Sequence, residues 1–108
     1  MEYTIPTAIK DDTFDGVRWT INVNNAPLDL TGALIEMRIT VCKKIVLFST
    51  QTGNEKLKII APPTSGIFEL SKHIISLSTG NYPYEMVFTL QDGTVKTYFH
   101  GTWLITEN

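Results

Sequence analysis

Few residues of this 108-residue chain could do chemistry, and the first group of them is an acidic loop. Asp11, Thr13 and Asp15 occupy the first, third and fifth positions of a segment whose sixth residue is Gly16, the order that opens a calcium-binding loop. The twelfth position of such a loop requires a bidentate glutamate, and Asn22 stands there instead. An acidic loop in front of a strand therefore explains the segment better than a calcium site does.

The remaining chemical groups are the two histidines, His73 and His100, and the single cysteine, Cys42. Zinc ligands come in short paired spacings such as Cys-x-x-Cys, which this chain lacks. It also lacks the Gly-x-Ser-x-Gly sequence of serine hydrolases and a glycine-rich phosphate loop. Because the sequence assembles no acid, base and nucleophile, we expect a protein that is not an enzyme and carries no metal or cofactor, with both histidines at the surface.

Charge and hydropathy narrow the classes of partner. The formal net charge is -2, and Lys43-Lys44 is the only adjacent basic pair, so we expect no nucleic acid partner. No apolar run approaches the roughly 18–20 residues of a membrane helix, and residues 1–6 do not resemble a signal peptide. The single cysteine permits no intrachain disulfide. These features predict one soluble domain, residues 1–108, folded in a reducing cytoplasm without a membrane partner.

A β-hairpin near the C-terminus positions His100 and the residues of the candidate site. Apolar and polar side chains alternate over residues 81–91, and Asp92-Gly93 then provides the dipeptide most typical of a two-residue turn. The pairs predicted by a two-residue loop are Leu90 with Val95, Phe88 with Thr97, Met86 with Phe99, Tyr84 with Gly101, Tyr82 with Trp103, Glu85 with His100, and Thr89 with Lys96.

The outward side of this hairpin is the candidate site. The alternation turns Glu85, Val87, Tyr98 and His100 away from the core, which makes a small apolar patch beside charged groups. Such a patch is typical of protein contact, so we predict that these four residues contact a partner protein. The other aromatic rings fall on inward faces, where core packing explains them, although exposed rings could instead form a sugar-stacking platform.

The rest of the chain predicts short strands and no helix. The strands indicated by alternation are residues 3–5, 14–23, 34–41, 45–49, 57–60 and 67–70, followed by the two hairpin strands. The segment 71–78 fits either a helical turn or a strand, and turns are predicted at residues 24–27, 50–54 and 61–66. Seven or eight strands at roughly 8–12-residue spacing predict an all-β fold, an antiparallel sandwich or barrel.

Six short motifs follow one another along the chain. They are Asp12-Thr13-Phe14, Pro27-Leu28-Asp29-Leu30-Thr31-Gly32, Gly66-Ile67-Phe68-Glu69-Leu70, Gly80-Asn81-Tyr82-Pro83-Tyr84-Glu85, Asp92-Gly93-Thr94 and Tyr98-Phe99-His100-Gly101-Thr102-Trp103. In this order and spacing the chain resembles the N-terminal domain of phage baseplate upper proteins. That family usually has glycine where this chain has Lys10-Asp11, and aspartate where it has Glu85.

The resemblance implies an immunoglobulin-like antiparallel β-sandwich of about seven to eight strands. It implies a structural virion protein of a tailed bacteriophage, in the baseplate, tail, fibre attachment or capsid, made in the cytoplasm of the host bacterium. The implied partners are other virion proteins and further copies of the chain. The resemblance is compatible with one domain of a longer protein or with a free-standing small protein. The alternative from another class is a carbohydrate-binding module that adheres to the host surface.

Overall fold

The computed structural model describes residues 2–51 and 56–107, and its regular structure is β apart from one 3-10 turn, Pro63–Ser65. The strands are β1 (Ile5–Ile9), β2 (Thr13–Phe14), β3 (Val17–Thr20), β4 (Asn22–Val23), β5 (Ala26–Pro27), β6 (Leu34–Val41), β7 (Lys44–Ser49), β8 (Leu57–Ile59), β9 (Ile67–Leu70), β10 (His73–Ile74), β11 (Gly80–Thr89) and β12 (Val95–Thr106). Four of these twelve described strands have only two residues, which leaves eight longer ones.

Two sheets form the layers of a sandwich. One has five strands in the order β1-β12-β11-β6-β7, and the other has three in the order β3-β9-β8. Phe68 of β9 lies between them: it stacks on Trp19 at a ring centroid distance of 5.1 Å and meets Phe88 of the facing sheet edge-on at 5.2 Å. The prediction of an all-β sandwich is confirmed, and the packing is consistent with an immunoglobulin-like arrangement. One pair departs from antiparallel pairing, because β1 runs parallel to β12.

A second aromatic cluster closes the other end of the core. Trp103 is fully buried and packs against Phe14 at a centroid distance of 5.2 Å. His73 joins this cluster edge-on to Phe48 at 5.7 Å, and its Nδ1 donates to the carbonyl oxygen of Ser71 at 2.6 Å. His73, which was predicted at the surface, is thus half-buried, with its ring against this cluster. Its segment was ambiguous in sequence, and it is held in place because β10 pairs with β2.

The hairpin of β11 and β12 contains two irregularities. Its loop has three residues, 91–93: Leu90 donates to the Thr94 carbonyl at 2.8 Å, and Gly93 adopts a φ of 89° and donates to the Leu90 carbonyl at 2.9 Å. This is the hairpin loop in which a turn is followed by a left-handed glycine. Farther along, Tyr98 is the extra residue of a β-bulge, because Met86 pairs with Phe99 and Val87 with Thr97.

The two irregularities cancel. The longer loop shifts the register by one residue, and the bulge shifts it back. Near the tip, the predicted pairs Phe88 with Thr97, Thr89 with Lys96 and Leu90 with Val95 are wrong. Beyond the bulge, the predicted pairs Met86 with Phe99, Glu85 with His100, Tyr84 with Gly101 and Tyr82 with Trp103 are confirmed.

Two predicted strand boundaries near the N-terminus differ in the structure. The edge strand begins at Ile5 and not at Tyr3, and Pro6, which has no N–H to donate, lies in an irregular part of the ladder. The strand predicted at residues 14–23 is interrupted by Gly16, whose φ is 92° and whose added Cβ would lie 2.7 Å from the Leu70 carbonyl oxygen. Thr52, Gly53 and Asn54 of a predicted turn lie outside the described residues.

Candidate functional site

A row of side chains crosses the whole five-stranded sheet. The backbone register places Leu47 beside Arg38, Arg38 beside Glu85, Glu85 beside His100, and His100 beside Glu2. Each of these residues comes from a different strand or from the chain end, so only the folded sheet brings them together. The predicted neighbours Glu85 and His100 therefore lie in a continuous row that also contains a guanidinium and a second carboxylate.

A shallow depression of about 460 Å³ lies on this side of the sheet and crosses four adjacent strands. We call this surface the outer face, and define it by Arg38, Thr40, Ile45, Pro83, Glu85 and His100. Ile45 is 60% exposed, although it belongs to a strand of the main sheet. The outer face thus combines an uncovered aliphatic side chain with charged groups.

Electrostatics on the outer face are unbalanced. The Arg38 guanidinium lies 3.7 Å from a carboxylate oxygen of Glu36 and 4.0 Å from one of Glu85. These separations exceed hydrogen-bond length, and such exposed pairs contribute only about 0–1 kcal/mol. Two carboxylates share one guanidinium, so the cluster is negative by one charge when His100 is neutral. All these side chains retain the capacity to bind another group.

Two of the four predicted contact residues are placed differently from the prediction. Val87 is only 4% exposed, so it does not belong to an exposed patch. Tyr98 is half-buried and meets the Phe88 ring edge-on at a centroid distance of 5.2 Å. The bulge explains Tyr98, because a strict two-residue period of β12 does not hold through it. Val87 keeps the outward parity of Glu85 on β11, but it is covered on that side. Glu85 and His100 are exposed, as predicted.

The predicted contact residues did not include four members of the outer face, namely Arg38, Thr40, Ile45 and Pro83. The alternation in residues 34–41 indicated which side chains share a side, but not that β6 would pair with β11. This pairing joins segments almost fifty residues apart, and no local signal specifies it. The sequence shows that Ile45 belongs to a strongly apolar segment, but composition alone does not show which side chains of that segment are exposed.

The acidic loop is divided between a turn and a strand. Thr13 and Phe14 form β2, and Phe14 is buried in the core. Among residues 2–51 and 56–107, no three His, Cys, Asp or Glu side chains lie close enough together to hold a metal ion. No helix long and apolar enough to cross a membrane occurs in the part of the chain that is described.

Two aspartates close turns on a neighbouring surface. The Thr31 hydroxyl donates to Asp29 Oδ1 at 2.6 Å and the Thr31 amide at 2.9 Å, and these two bonds lower the pKa of Asp29. The Thr94 amide donates to Asp92 Oδ1 at 2.9 Å and is the main cause of the lowered pKa of Asp92. Asp29 and Asp92 thus each accept a hydrogen bond from the backbone two residues farther along, as turn aspartates commonly do.

Tyr84 connects the outer face to the N-terminal segment. Its hydroxyl donates to the backbone carbonyl of Tyr3 at 2.6 Å, across eighty-one positions of sequence. Burial raises the pKa of Tyr84 well above its ordinary value, and the nearby Tyr3 adds to the rise. The folded state therefore favours the protonated phenol, which is the form that can donate this hydrogen bond.

We expect Tyr84→Phe to lower the free energy of unfolding by about 1–2 kcal/mol at pH 7, because the Tyr3 carbonyl loses its donor. A raised folded-state pKa makes this contribution complete below about pH 10, and it is lost as the pH rises toward the folded value. Urea unfolding at pH 7 and pH 11 should show the gap between wild type and variant closing at the higher pH. A gap of equal size at both values would contradict this assignment.

Comparisons with known proteins add no family: neither a scan against protein-family models nor a search of curated proteins finds a match to this chain.

Proposed function

We propose that this chain is a non-enzymatic docking module of a tailed bacteriophage particle, in the baseplate, tail, fibre attachment or capsid. It acts through protein–protein contacts made by the outer face. The observation that most supports this proposal is the depression across four strands, in which Ile45 is exposed beside Glu85 and Arg38. An aliphatic centre with a charged rim is the usual composition of a protein contact surface.

The size of the sheet that carries the outer face also fits a protein partner. Five strands spaced by about 4.8 Å and about eight residues spaced by about 3.3 Å cover roughly 24 by 26 Å. The whole outward side of this sheet, roughly 600 Å², approaches the roughly 800 Å² that each partner buries in an interface of ordinary size, and the outer face is the part of it that crosses four strands. A depression this open does not enclose a small molecule, whereas a flat protein surface can cover it completely.

The backbone at Asp11 agrees with the family resemblance. Asp11 stands where the family usually has glycine, and its φ is 69°, in the left-handed region that favours glycine. Gly32 of the Asp29-Leu30-Thr31-Gly32 turn also has a φ of 69°. At both positions the backbone has the left-handed conformation that glycine favours, although only one of the two residues is a glycine. This backbone conformation supports the resemblance.

No specific observation favours the carbohydrate-binding alternative. The rings considered for a sugar-stacking platform are buried, with Tyr98 half-buried: Trp19, Tyr82, Tyr84, Tyr98, Phe88, Phe99 and Trp103. A sugar platform requires the face of a ring to be open to solvent, and these rings pack against one another between the sheets.

Detection in purified particles tests the proposal. Antibodies against the chain should find it in particles of the phage that encodes it, and chemical cross-linking followed by mass spectrometry should join Lys44, beside Ile45, to a second virion protein. Lys58, on the three-stranded sheet, is the internal control and should give fewer such links. Particles that contain no trace of the chain would refute the proposed role.

A further inference from the structure

We propose that β1 is an exchangeable strand: in a pair of copies, β1 of each chain docks on β12 of the other, and residues 10–12 form the hinge. The surface is the edge of β12, and the partner is a second copy of this chain. This proposal rests on the contacts of β1 alone and is independent of the proposed role in a phage particle.

The acceptor for β1 is a notch with two side-chain donors. A Cβ added to Gly101 would meet the backbone carbonyl oxygen of Tyr3, so only glycine lets the N-terminal segment lie against β12. Beside this notch, Tyr84 donates to the Tyr3 carbonyl at 2.6 Å and Trp103 Nε1 donates to the Pro6 carbonyl at 3.1 Å. All three acceptor residues follow the hinge in sequence, so the same segment from a second copy finds an identical site.

The attachment of β1 is mostly through its backbone. Only Ile5 and Ala8 of its five residues are buried. Pairing with β12 is irregular between these two residues, where Trp103 donates to the Pro6 carbonyl, and Tyr84 donates to the Tyr3 carbonyl just before β1. A segment with few buried apolar side chains opens at lower cost than the core strands. β1, as an edge strand with two buried side chains, therefore leaves the sheet more readily than the central strands β11 and β12.

The hinge is strained in its closed form and is also held by backbone hydrogen bonds. Asp12 donates to the Ile9 carbonyl at 3.1 Å, which closes a tight turn, and Asp11 within that turn has a φ of 69°. Asp11 also donates to the Ile75 carbonyl at 2.9 Å, and the Ile75 amide donates to the Asp12 carbonyl at 3.0 Å. A non-glycine residue with this φ carries a strain that corresponds to roughly a tenfold change in an equilibrium constant. Extending the hinge relieves this strain and opens the two hydrogen bonds with Ile75, and short strained hinges are a known cause of strand exchange. In the exchanged pair the contacts of β1 with β12 are recovered.

Mixing two single-cysteine variants tests the exchange. Ile9 and Thr106 are Cα partners across β1 and β12, so Ile9→Cys and Thr106→Cys are prepared separately, both with Cys42→Ser. The two proteins are mixed at millimolar concentration, incubated and treated with a short bis-maleimide. Exchange predicts a cross-linked dimer whose mass spectrum joins positions 9 and 106, and the amount should rise with concentration. The double variant in one chain is the control, because it cross-links within the monomer.

Two hinge variants give the second measurement. Asp11→Gly removes the strain and should lower the dimer fraction by roughly tenfold in sedimentation velocity. Asp11→Pro, whose φ is fixed near -65°, excludes the closed turn and should raise the fraction. Absence of the 9–106 link in the mixture, or an Asp11→Gly variant whose dimer fraction equals that of the wild type, would overturn the proposal.

Discussion

Replacing Phe68 with alanine is expected to remove about 3–5 kcal/mol from the free energy of unfolding. Phe68 is fully buried and is a ring through which the two sheets touch: it stacks on Trp19 and meets Phe88 and Phe99 of the facing sheet. Its loss leaves a cavity between layers whose strands cannot move together without disturbing both ladders. Because a domain of this size has a stability of only about 5–15 kcal/mol, the variant should be close to unfolding.

The measurement is urea unfolding followed by tryptophan fluorescence, since Trp19 packs directly on the Phe68 ring. Ile67→Ala is the matched control, because Ile67 is the preceding residue of β9 and is half-exposed. We expect the control to lose less than about 1.5 kcal/mol. A Phe68→Ala variant as stable as the control would show that the sheets are not joined through this ring.

Replacing Gly101 with alanine is expected to remove about 2–4 kcal/mol, the second large effect. The new methyl group would collide with the backbone carbonyl oxygen of Tyr3, and it would lie 3.3 Å from the ring of Tyr84. Because a backbone atom cannot rotate away, the N-terminal segment must leave β12. The cost combines overpacking of about 1–3 kcal/mol with the loss of the hydrogen bonds that hold Tyr3 and Pro6.

Amide chemical shifts should show that the Gly101→Ala change is concentrated in residues 2–9 and their neighbours on β12. Gly93→Ala is the control, because it is strained by a φ of 89° but its added Cβ meets nothing within 4 Å. The control should cost only about 1 kcal/mol and leave the N-terminal segment undisturbed. Equal losses in the two variants would mean that the contact with Tyr3 adds nothing to the cost of a side chain at position 101, and would contradict this explanation.

The alternation of apolar and polar residues predicted much of the hairpin, because most of its strand pairs keep the register of that alternation. Alternation placed Tyr82, Tyr84 and Met86 inward, and the structure has all three buried. The Asp92-Gly93 dipeptide indicated a turn but not its length, because glycine at a positive φ suits both a two-residue and a three-residue loop. The error that followed is limited to the tip, since the bulge at Tyr98 restores the register before Glu85.

The outer face was only partly predictable because it depends on contacts between distant segments. The sequence identifies Glu85 and His100 as neighbours, since they belong to one hairpin. It does not show that Arg38 lies on the other side of Glu85, because that requires β6 to pair with β11. The burial of Val87 was missed for a related reason: the alternation of a strand shows the side to which a residue points, but not what covers it there.

Distant segments change the surroundings that a local pattern predicts for a residue. His73 is one case, because Phe14, Phe48 and Trp103 reach it from three other strands. Gly101 is another: the hairpin register predicts Tyr84 as its partner, and the Tyr3 carbonyl is the closer neighbour of an added Cβ.

The central claim is that the outer face binds another virion protein, and a matched pair of substitutions tests it most directly. Ile45 is 60% exposed on the outer face, and Ile74 is 65% exposed on β10, outside that face. Each is replaced by glutamate, and the variants are supplied in place of the wild-type protein during growth of the phage that encodes it. Both should fold, because changes at exposed positions are usually worth within about 0.5 kcal/mol.

We predict that particles incorporate Ile74→Glu at the wild-type level and Ile45→Glu at least tenfold less, because the change removes the exposed aliphatic side chain and adds a carboxylate to the depression that Glu85 also lines. Equal incorporation of the two variants would contradict the assignment of the outer face as the docking surface.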